Sequence, residues 1–457
     1  MSHSVLDDLN LDFGALFLLF ITACAFMIPV AVVLPPVPVR KSDALLQTHT
    51  LAGAGKPKSA LNGYLTGGQN VRRNGPQATV QSLRIYPVKS CRGIEVARSR
   101  VLPQGLEFDR LFTFAQLKSP FPVSLDSTEA AKSQHRWEFV TQRQFPLLAT
   151  VKVDLWLPDE MKLRRQSMKP TREAFLILSF PWKEDGWRGL LSTIAAKLGG
   201  GSAAVPEKEI LLPVDFPSAA EIKDKGYIFE DVKIWKETVT ALNMSTELPK
   251  ELMLYLGVSN KLGIFRVDPS RLREVYRCAP LKADAGYQPV TGFQDAYPLH
   301  MITLDSLQRF SEEVPKDDEL KELDVSGVPP YDEETWKKAR FKPGKSGLYN
   351  DAVFHISCRT VRCKMPNVDP VTGDRHPREP DRSLRALRNV DKGAPLSGCL
   401  GMQLTPLFEV DEAPNSHSGA GSGLLGDDDP DDGRSSWVAV GMTVEVEERG
   451  EHMYIKQ

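Results

Sequence analysis

The longest uninterrupted apolar run lies near the start of the chain. FGALFLLFITACAFMIPVAVVL, from Phe13 to Leu34, carries no charge. As a helix rising about 1.5 Å per residue it covers roughly 33 Å, enough for a bilayer core, and it lacks the polar face of a helix that borders a soluble core. Asp7, Asp8 and Asp12 precede the run, and Arg40 and Lys41 follow it. A cleaved secretory signal opens with basic residues, so the pattern predicts one transmembrane anchor over 13–34. The basic flank places the bulk of the chain in the cytosol. Pro29 kinks such a helix without preventing insertion.

Residues 41–77 hold few large apolar side chains and many Gly, Ser, Thr and Pro, the composition of a flexible tether. Beyond it the period shortens to that of strands. Val80–Tyr86, Arg98–Leu102, Leu111–Leu117 and Leu147–Leu155 are separated by turn residues such as Pro103-Gln104-Gly105. In the last of these, Ala149, Val151, Val153 and Leu155 alternate with Thr150, Lys152 and Asp154, as in a half-buried strand. Phe175–Phe180, Ile210–Val214, Val232–Val239 and Trp437–Val446 read as further strands.

Helical spacing is rarer. Leu190, Leu191, Ile194 and Leu198 share one face of a helix that Gly199-Gly200-Gly201 terminates. Glu247–Leu256 follows Ser245 and Thr246 as candidate caps. Thr303 opens a third helix, with Leu304, Leu307 and Phe310 in step. Pro380 opens a fourth, in which Leu384 and Leu387 face inward and Arg382, Arg385 and Arg388 lie on another side. With strands dominant and no regular strand–helix alternation, the fold class expected is β-rich α+β with barrel-like sheets.

Composition changes little. Of the 457 residues, 41% are hydrophobic and 25% charged, which excludes wholesale disorder and a multi-span membrane protein. The net charge of −2 offers no overall pull toward nucleic acid. It conceals a split, because Glu409 to Asp432 contains eight acids and no base, whereas Arg359 to Lys392 carries nine Lys/Arg against five Asp/Glu. The acidic run precedes a strand and reads as a surface insertion. Six irregularly spaced cysteines, Cys24, Cys91, Cys278, Cys358, Cys363 and Cys399, do not form a disulfide framework and suit a reducing compartment.

Candidate chemistry gathers in the basic segment. Cys358 and Cys363, with only His355, His376 and Cys399 nearby, lack the regular second pair that structural zinc uses. A soft thiolate beside a basic loop instead suits a metal bound together with an anionic cofactor, and a solvated basic hairpin with a buried cysteine is the competing reading. Lys89-Ser90, after a short strand and before Gly93, has the composition of a phosphate cradle.

IYPVKSCRG (Ile85–Gly93), GLEFDRLF (Gly105–Phe112), VTQRQFPLL (Val140–Leu148) and CRTVRCKMPNVDPVTG (Cys358–Gly373) occur in an order that resembles the MOSC family. The nearest pattern is that of the mitochondrial amidoxime-reducing components and their fungal relatives. The resemblance implies a MOSC amino-terminal β-barrel domain over 78–244 and a MOSC β-barrel domain over 245–457, with the acidic insertion at 409–435. It implies a molybdenum cofactor (molybdopterin), with Cys363 as the metal's thiolate ligand and Asp295 as an acid near the metal. Lys89, Ser90, Arg110 and Arg362 would hold the pterin and its phosphate.

The implied activity is reduction of small N-hydroxylated substrates. A small b-type cytochrome, itself served by an NADH-dependent reductase, supplies the electrons, and the enzyme is anchored in the outer mitochondrial membrane with its catalytic part in the cytosol. Family members also carry an Arg-Phe-Arg-x-Asn strand before Ser326-Gly327, and this chain has no arginine between Val314 and Trp336. The competing function is therefore a non-catalytic molybdopterin- or sulfur-carrier module, or a pseudo-enzyme. Pyridoxal phosphate held through Lys89 is a third and more distant reading.

Overall fold

The computed structural model describes residues 13–33, 40–53, 78–119, 128, 134–166, 173–314, 328–343, 350–408 and 434–455. The acidic insertion, most of the tether and the stretch 315–327 lie outside the described residues. The chain forms two units, one of 1–44 with 181–209 and the other of 45–180 with 210–457. The second contains every candidate site residue.

In the first unit the apolar run forms a helix over Phe13–Val33. Its described side chains extend from Gly14 to Phe26, about 20 Å of helix, and among the described residues no helix is long and apolar enough to cross a membrane. A second helix spans Gly186–Gly200, with Gly201 at φ 87° after its end. It buries Gly189 and Ala196, whereas Leu190, Ile194 and Leu198 are exposed. The expected leucine face is thus not the packed one. A side chain at Gly189 would strike the carbonyl of Glu184, in the segment that leads into the helix.

In the second unit five strands close a barrel: Phe112–Lys118, Arg136–Phe139, Ile228–Ile234, Glu237–Asn243 and Leu262–Val267. Val232, Ile234, Val239 and Ala241 turn inward on alternate positions to meet Trp137, Phe265 and Phe293. Complete burial of Phe265 and Phe293 is worth about 1.5–3 kcal/mol each. The single strand expected at Val232–Val239 is two strands joined at Trp235-Lys236. Trp235 takes a left-handed φ of 55°, the conformation a tight hairpin demands, although its sequence lacks an Asn-Gly signal.

Leu147–Leu155 also departs from expectation. Pro146–Thr150 is a 3-10 turn, and the strand begins at Lys152 and runs to Pro158. It pairs with Phe175–Pro181 and with His49–Leu51, so the start of the expected tether is a strand. Leu45 and Leu51 pack there against Trp156 and Ile177.

A second sheet is open rather than closed. Its antiparallel order is Leu299–Met301, Cys399–Leu407, Ala352–Val361, Trp336–Lys342 and Thr443–Arg449. The expected last strand divides at Gly441 (φ 89°). Its first part, Ser436–Ala439, pairs with Arg98–Leu102, and its second joins the open sheet. The barrel strand Leu262–Val267 and the pairing of Ser436–Ala439 both cross the boundary at 244/245 drawn from the sequence.

Two helices pack on these sheets. Leu304–Glu313 is capped by Thr303, whose hydroxyl accepts from Ser306 N, and Asp381–Leu387 follows Pro380. A third, Lys250–Leu256, starts at Pro249 rather than at Ser245 or Thr246, because Ser245–Glu247 forms its own 3-10 turn. Leu387 is exposed and Arg388 is buried. The Arg388 guanidinium lies 3.6 Å from the Tyr331 ring centre and bonds Glu334. Glu334 also accepts from Arg359, which reaches Asp391 at 3.3 Å. Part of the basic segment is thus neutralised inside the fold.

Candidate functional site

Strand directions at one rim of the barrel explain how the site assembles. Ile228–Ile234 runs parallel to Arg136–Phe139, so both chains leave at the same end, one into Thr141-Gln142-Arg143 and the other into the Trp235 turn. Phe112–Lys118 is antiparallel to Arg136–Phe139 and enters at that end from Arg110. Segment 86–89 lies against it, with Arg110 N on Tyr86 O at 2.8 Å, Phe112 N on Pro87 O at 2.9 Å and Lys89 N on Phe112 O at 2.8 Å. Arg110, Arg143, Trp235 and Lys89 therefore come to one rim from four stretches of chain.

Lys89 is 5% exposed. Its Nζ donates to Phe293 O at 2.7 Å and to Asp295 Oδ1 at 2.6 Å. Burial pulls the ammonium below its ordinary value, against the pull of Asp295. On Asp295 burial pushes the carboxyl up, but Lys89, Arg143 and the Trp235 indole outweigh it and hold the group well below the usual carboxylate range. The two groups stand at ion-pair distance, 2.6 Å apart. Asp295 sits on a stiff loop: Arg273 donates to the carbonyls of Gly292 and Gln294, and the Gln294 amide spans Gly292 N and Gln104 O.

Trp235 Nε1 donates to Asp295 Oδ1 at 3.2 Å, and the Arg143 guanidinium lies over the Trp235 ring at 4.6 Å. From there Arg143 reaches Cys363. Its Nη2 and Nε stand 2.8 and 3.3 Å from the sulfur, and Met365 N adds a third donor at 3.4 Å. The Cys363 loop is anchored by its own sequence. Asp369 Oδ1 caps Val371 N and Thr372 N, Asp369 N pairs with Asp374 O, and Arg375 holds the carbonyls of Gln142 and Arg143. The Val-Asp-Pro-Val-Thr-Gly stretch is a hairpin whose arginine fixes the backbone that aims Arg143.

Arg110 binds both oxygens of Asp109 through Nη1, at 2.6 and 2.7 Å, and lies 4.8 Å from the Tyr86 ring centre. Its Nε and Nη2 make no hydrogen bond among the described residues. Ser90 holds φ 66°, and its carbonyl accepts from Gln142. Arg362 donates to Leu400 O at 2.8 Å and to His300 Nε2 at 2.8 Å. Because a guanidinium has no acceptor, that nitrogen of His300 is unprotonated. Burial and Arg362 keep His300 well below the ordinary histidine value, and burial brings Arg362 down to about 10. Gly401 (φ 79°) makes room here, since a Cβ would stand 2.5 Å from Met301 O and 2.7 Å from His300 Nε2.

Asp295 and His300 both keep exposed side chains. Arg143 Nη1 is buried with no hydrogen-bond partner. An orphaned guanidinium nitrogen beside a sulfur, a free edge on Arg110 and an accessible cationic lining fit an anionic group that carries a thiophilic metal. Among the described residues no cluster of three or more His, Cys, Asp or Glu could hold a metal ion by itself.

Of the six expected site residues, Cys363, Asp295 and Lys89 are linked through Trp235 and Arg143, Arg110 and Ser90 flank Lys89, and Arg362 approaches through His300. Arg143, Trp235 and His300 escaped the sequence reading. Arg143 lay within the quoted VTQRQFPLL stretch, whereas nothing in the sequence flagged a tryptophan inside an expected strand or an isolated histidine. Cys358 is fully buried and packs with Tyr297 and Cys278, away from Cys363.

Residues 77–181 match the family model of the MOSC N-terminal beta barrel domain. The match supports the MOSC family, whose modules are generally molybdenum-cofactor-binding and of sulfurase or reductase type. No curated protein matches the chain.

Proposed function

We propose that this protein is a molybdenum-cofactor-dependent oxidoreductase that reduces N-hydroxylated compounds. Cys363 would be the protein's ligand to the metal, and Lys89, Ser90, Arg110 and Arg362 would hold the pterin and its phosphate. The observation that carries the reading is the double donation from Arg143 to the Cys363 sulfur, with Arg143 joined through Trp235 to the exposed Asp295. The cofactor, when bound, supplies the two-electron redox chemistry.

The chain's own groups bind and orient. Arg110 and Arg362 offer cationic edges to the phosphate and pterin. Lys89 holds Asp295 ionised, so Asp295 accepts hydrogen bonds and positions the N–H or O–H of a substrate instead of delivering a proton at neutral pH. Trp235 fixes the carboxylate and supports Arg143, which restrains the sulfur. Electrons would come from a small b-type cytochrome with its NADH-dependent reductase, and the helix from Phe13 would hold the protein on the outer mitochondrial membrane with the site in the cytosol.

Metal analysis of the purified protein with a benzamidoxime reduction assay tests the reading. One molybdenum per chain with turnover, both lost in Cys363→Ala, is expected; metal-free protein, or unchanged turnover in that variant, overturns it. The second reading, a carrier module or pseudo-enzyme, is favoured by the missing arginines between Val314 and Trp336. It predicts bound cofactor without turnover.

A further inference from the structure

Beside the Cys363 loop a separate recess of about 550 Å³ opens between Lys364, Pro377 and the helix Asp381–Leu387. Four cations line it, Lys364, Arg378, Arg382 and Arg385, all exposed. Its single carboxylate, Asp381, is already engaged by Arg385 Nε at 3.1 Å to both oxygens. The side chains of Lys364, Arg378 and Arg382 have no hydrogen-bond or ion-pair partner among the described residues. That sets them apart from Arg110, Arg273, Arg340, Arg359, Arg388 and Arg449, each of which meets a carboxylate.

Like charges held together around a shallow, open depression repel one another and raise the local positive potential. The backbone beneath them is fixed independently of any ligand. Asn367 bonds His376 O and Asp381 N, and His376 Nδ1 accepts from the amides of Arg378 and Glu379. The floor's amides are thus used, and recognition falls to the guanidinium forks and the ammonium, groups that match phosphate oxygens. The volume lies within the range of small-molecule sites, roughly 300–1,000 Å³. No aromatic side chain lines the recess, so it lacks the stacking platform on which single-stranded nucleic acid is held.

We propose that this recess binds the diphosphate group of a small phosphorylated metabolite, at a site separate from that of Lys89 and Arg110. The assignment does not depend on the redox activity above. Calorimetric titration of the full chain with inorganic pyrophosphate at about 0.15 M salt, where exposed charges are largely screened beyond about 8 Å, tests it. Saturable binding is expected, weakened about tenfold or more in Arg378→Ala/Arg382→Ala and less in Lys364→Ala. Circular dichroism and thermal melting check that both variants remain folded. Absence of saturable binding, or full binding by a folded double variant, overturns the proposal. Sedimentation with phosphatidic acid vesicles forms the second arm: chain that binds vesicles but does not respond to pyrophosphate assigns the cluster to a membrane surface and also overturns it.

Discussion

Arg143 and Cys363, 220 positions apart in the chain, meet through two guanidinium N–H groups at 2.8 and 3.3 Å from the sulfur. Hydrogen bonds to a ligand atom orient it and tune its donor strength, and losing such a partner typically costs about 10- to 100-fold in metal affinity or activity. Arg143→Gln should reduce molybdenum content or reductase turnover by that order while the fold persists. Arg143→Lys should recover little, because a point charge cannot reproduce two N–H groups in one plane. Metal analysis and turnover of the two variants decide it, and wild-type values in Arg143→Gln would remove Arg143 from the site.

Lys89 and Asp295 give a pH-dependent expectation. The folded carboxyl lies below its unfolded value of about 3.9. Its stabilising contribution is therefore complete above that pH and disappears as pH falls through the folded value. Asp295→Asn should lower stability at pH 7 by about 1–3 kcal/mol, a discounted figure because the Asp295 side chain is 44% exposed. In denaturant titrations the gap between wild type and variant should narrow below about pH 4. A gap that is constant down to pH 2 contradicts the ion-pair account.

Gly401 supports the Arg362–His300 contact from beneath. Gly401→Ala places a methyl group 2.5 Å from Met301 O at a positive φ, so the strand Cys399–Leu407 must shift. Non-glycine strain of this kind costs about 1–3 kcal/mol. The melting temperature should fall, and the His300 ring resonances should move. Unchanged stability and unchanged spectra would show that the backbone there is freer than its contacts indicate.

Among the cysteines outside the site, Cys278 should react first. It is half-buried, and the hydrogen bond with the Cys358 thiol holds it below the ordinary thiol value; that same bond and burial push Cys358 up, and burial pushes Cys91 and Cys399 up. Thiolate is the reactive form. Brief alkylation at pH 7 followed by peptide mapping should label Cys278 well ahead of those three, and the order should disappear in Cys358→Ala if that hydrogen bond is the cause.

Much was legible in the sequence. Apolar runs bounded by turn residues located the strands at Arg98–Leu102, Phe112–Lys118 and Phe175–Pro181. The barrel strands Arg136–Phe139 and Leu262–Val267 and the open-sheet strands Trp336–Lys342, Ala352–Val361 and Cys399–Leu407 went unmarked; a strand buried on both faces, as Leu262–Val267 and Cys399–Leu407 are, shows no period of two. The segments carrying Lys89 and Cys363 announced themselves by local chemistry, a cation after a strand and a cysteine in a basic segment with turn signals, whereas Arg110 was marked only by the family resemblance. A basic segment of mixed purpose was harder to read. Arg359 and Arg388 proved to be internal ion-pair partners, whereas Arg362 meets His300 and the Leu400 carbonyl, and only packing separates those arrangements.

The amino-acid sequence by itself determined the β-rich composition of the elements, the helix at Phe13–Val33 and the turn chemistry around Cys363, since each depends on neighbours a few positions away. The tertiary structure alone decided that one sheet closes and the other stays open, that Trp235 turns a hairpin, and that Arg143 faces a sulfur from a distant loop. Those outcomes follow from which strand pairs with which and in what direction, and the parallel pairing of Ile228–Ile234 with Arg136–Phe139 is what brings Trp235 and Arg143 to the same rim.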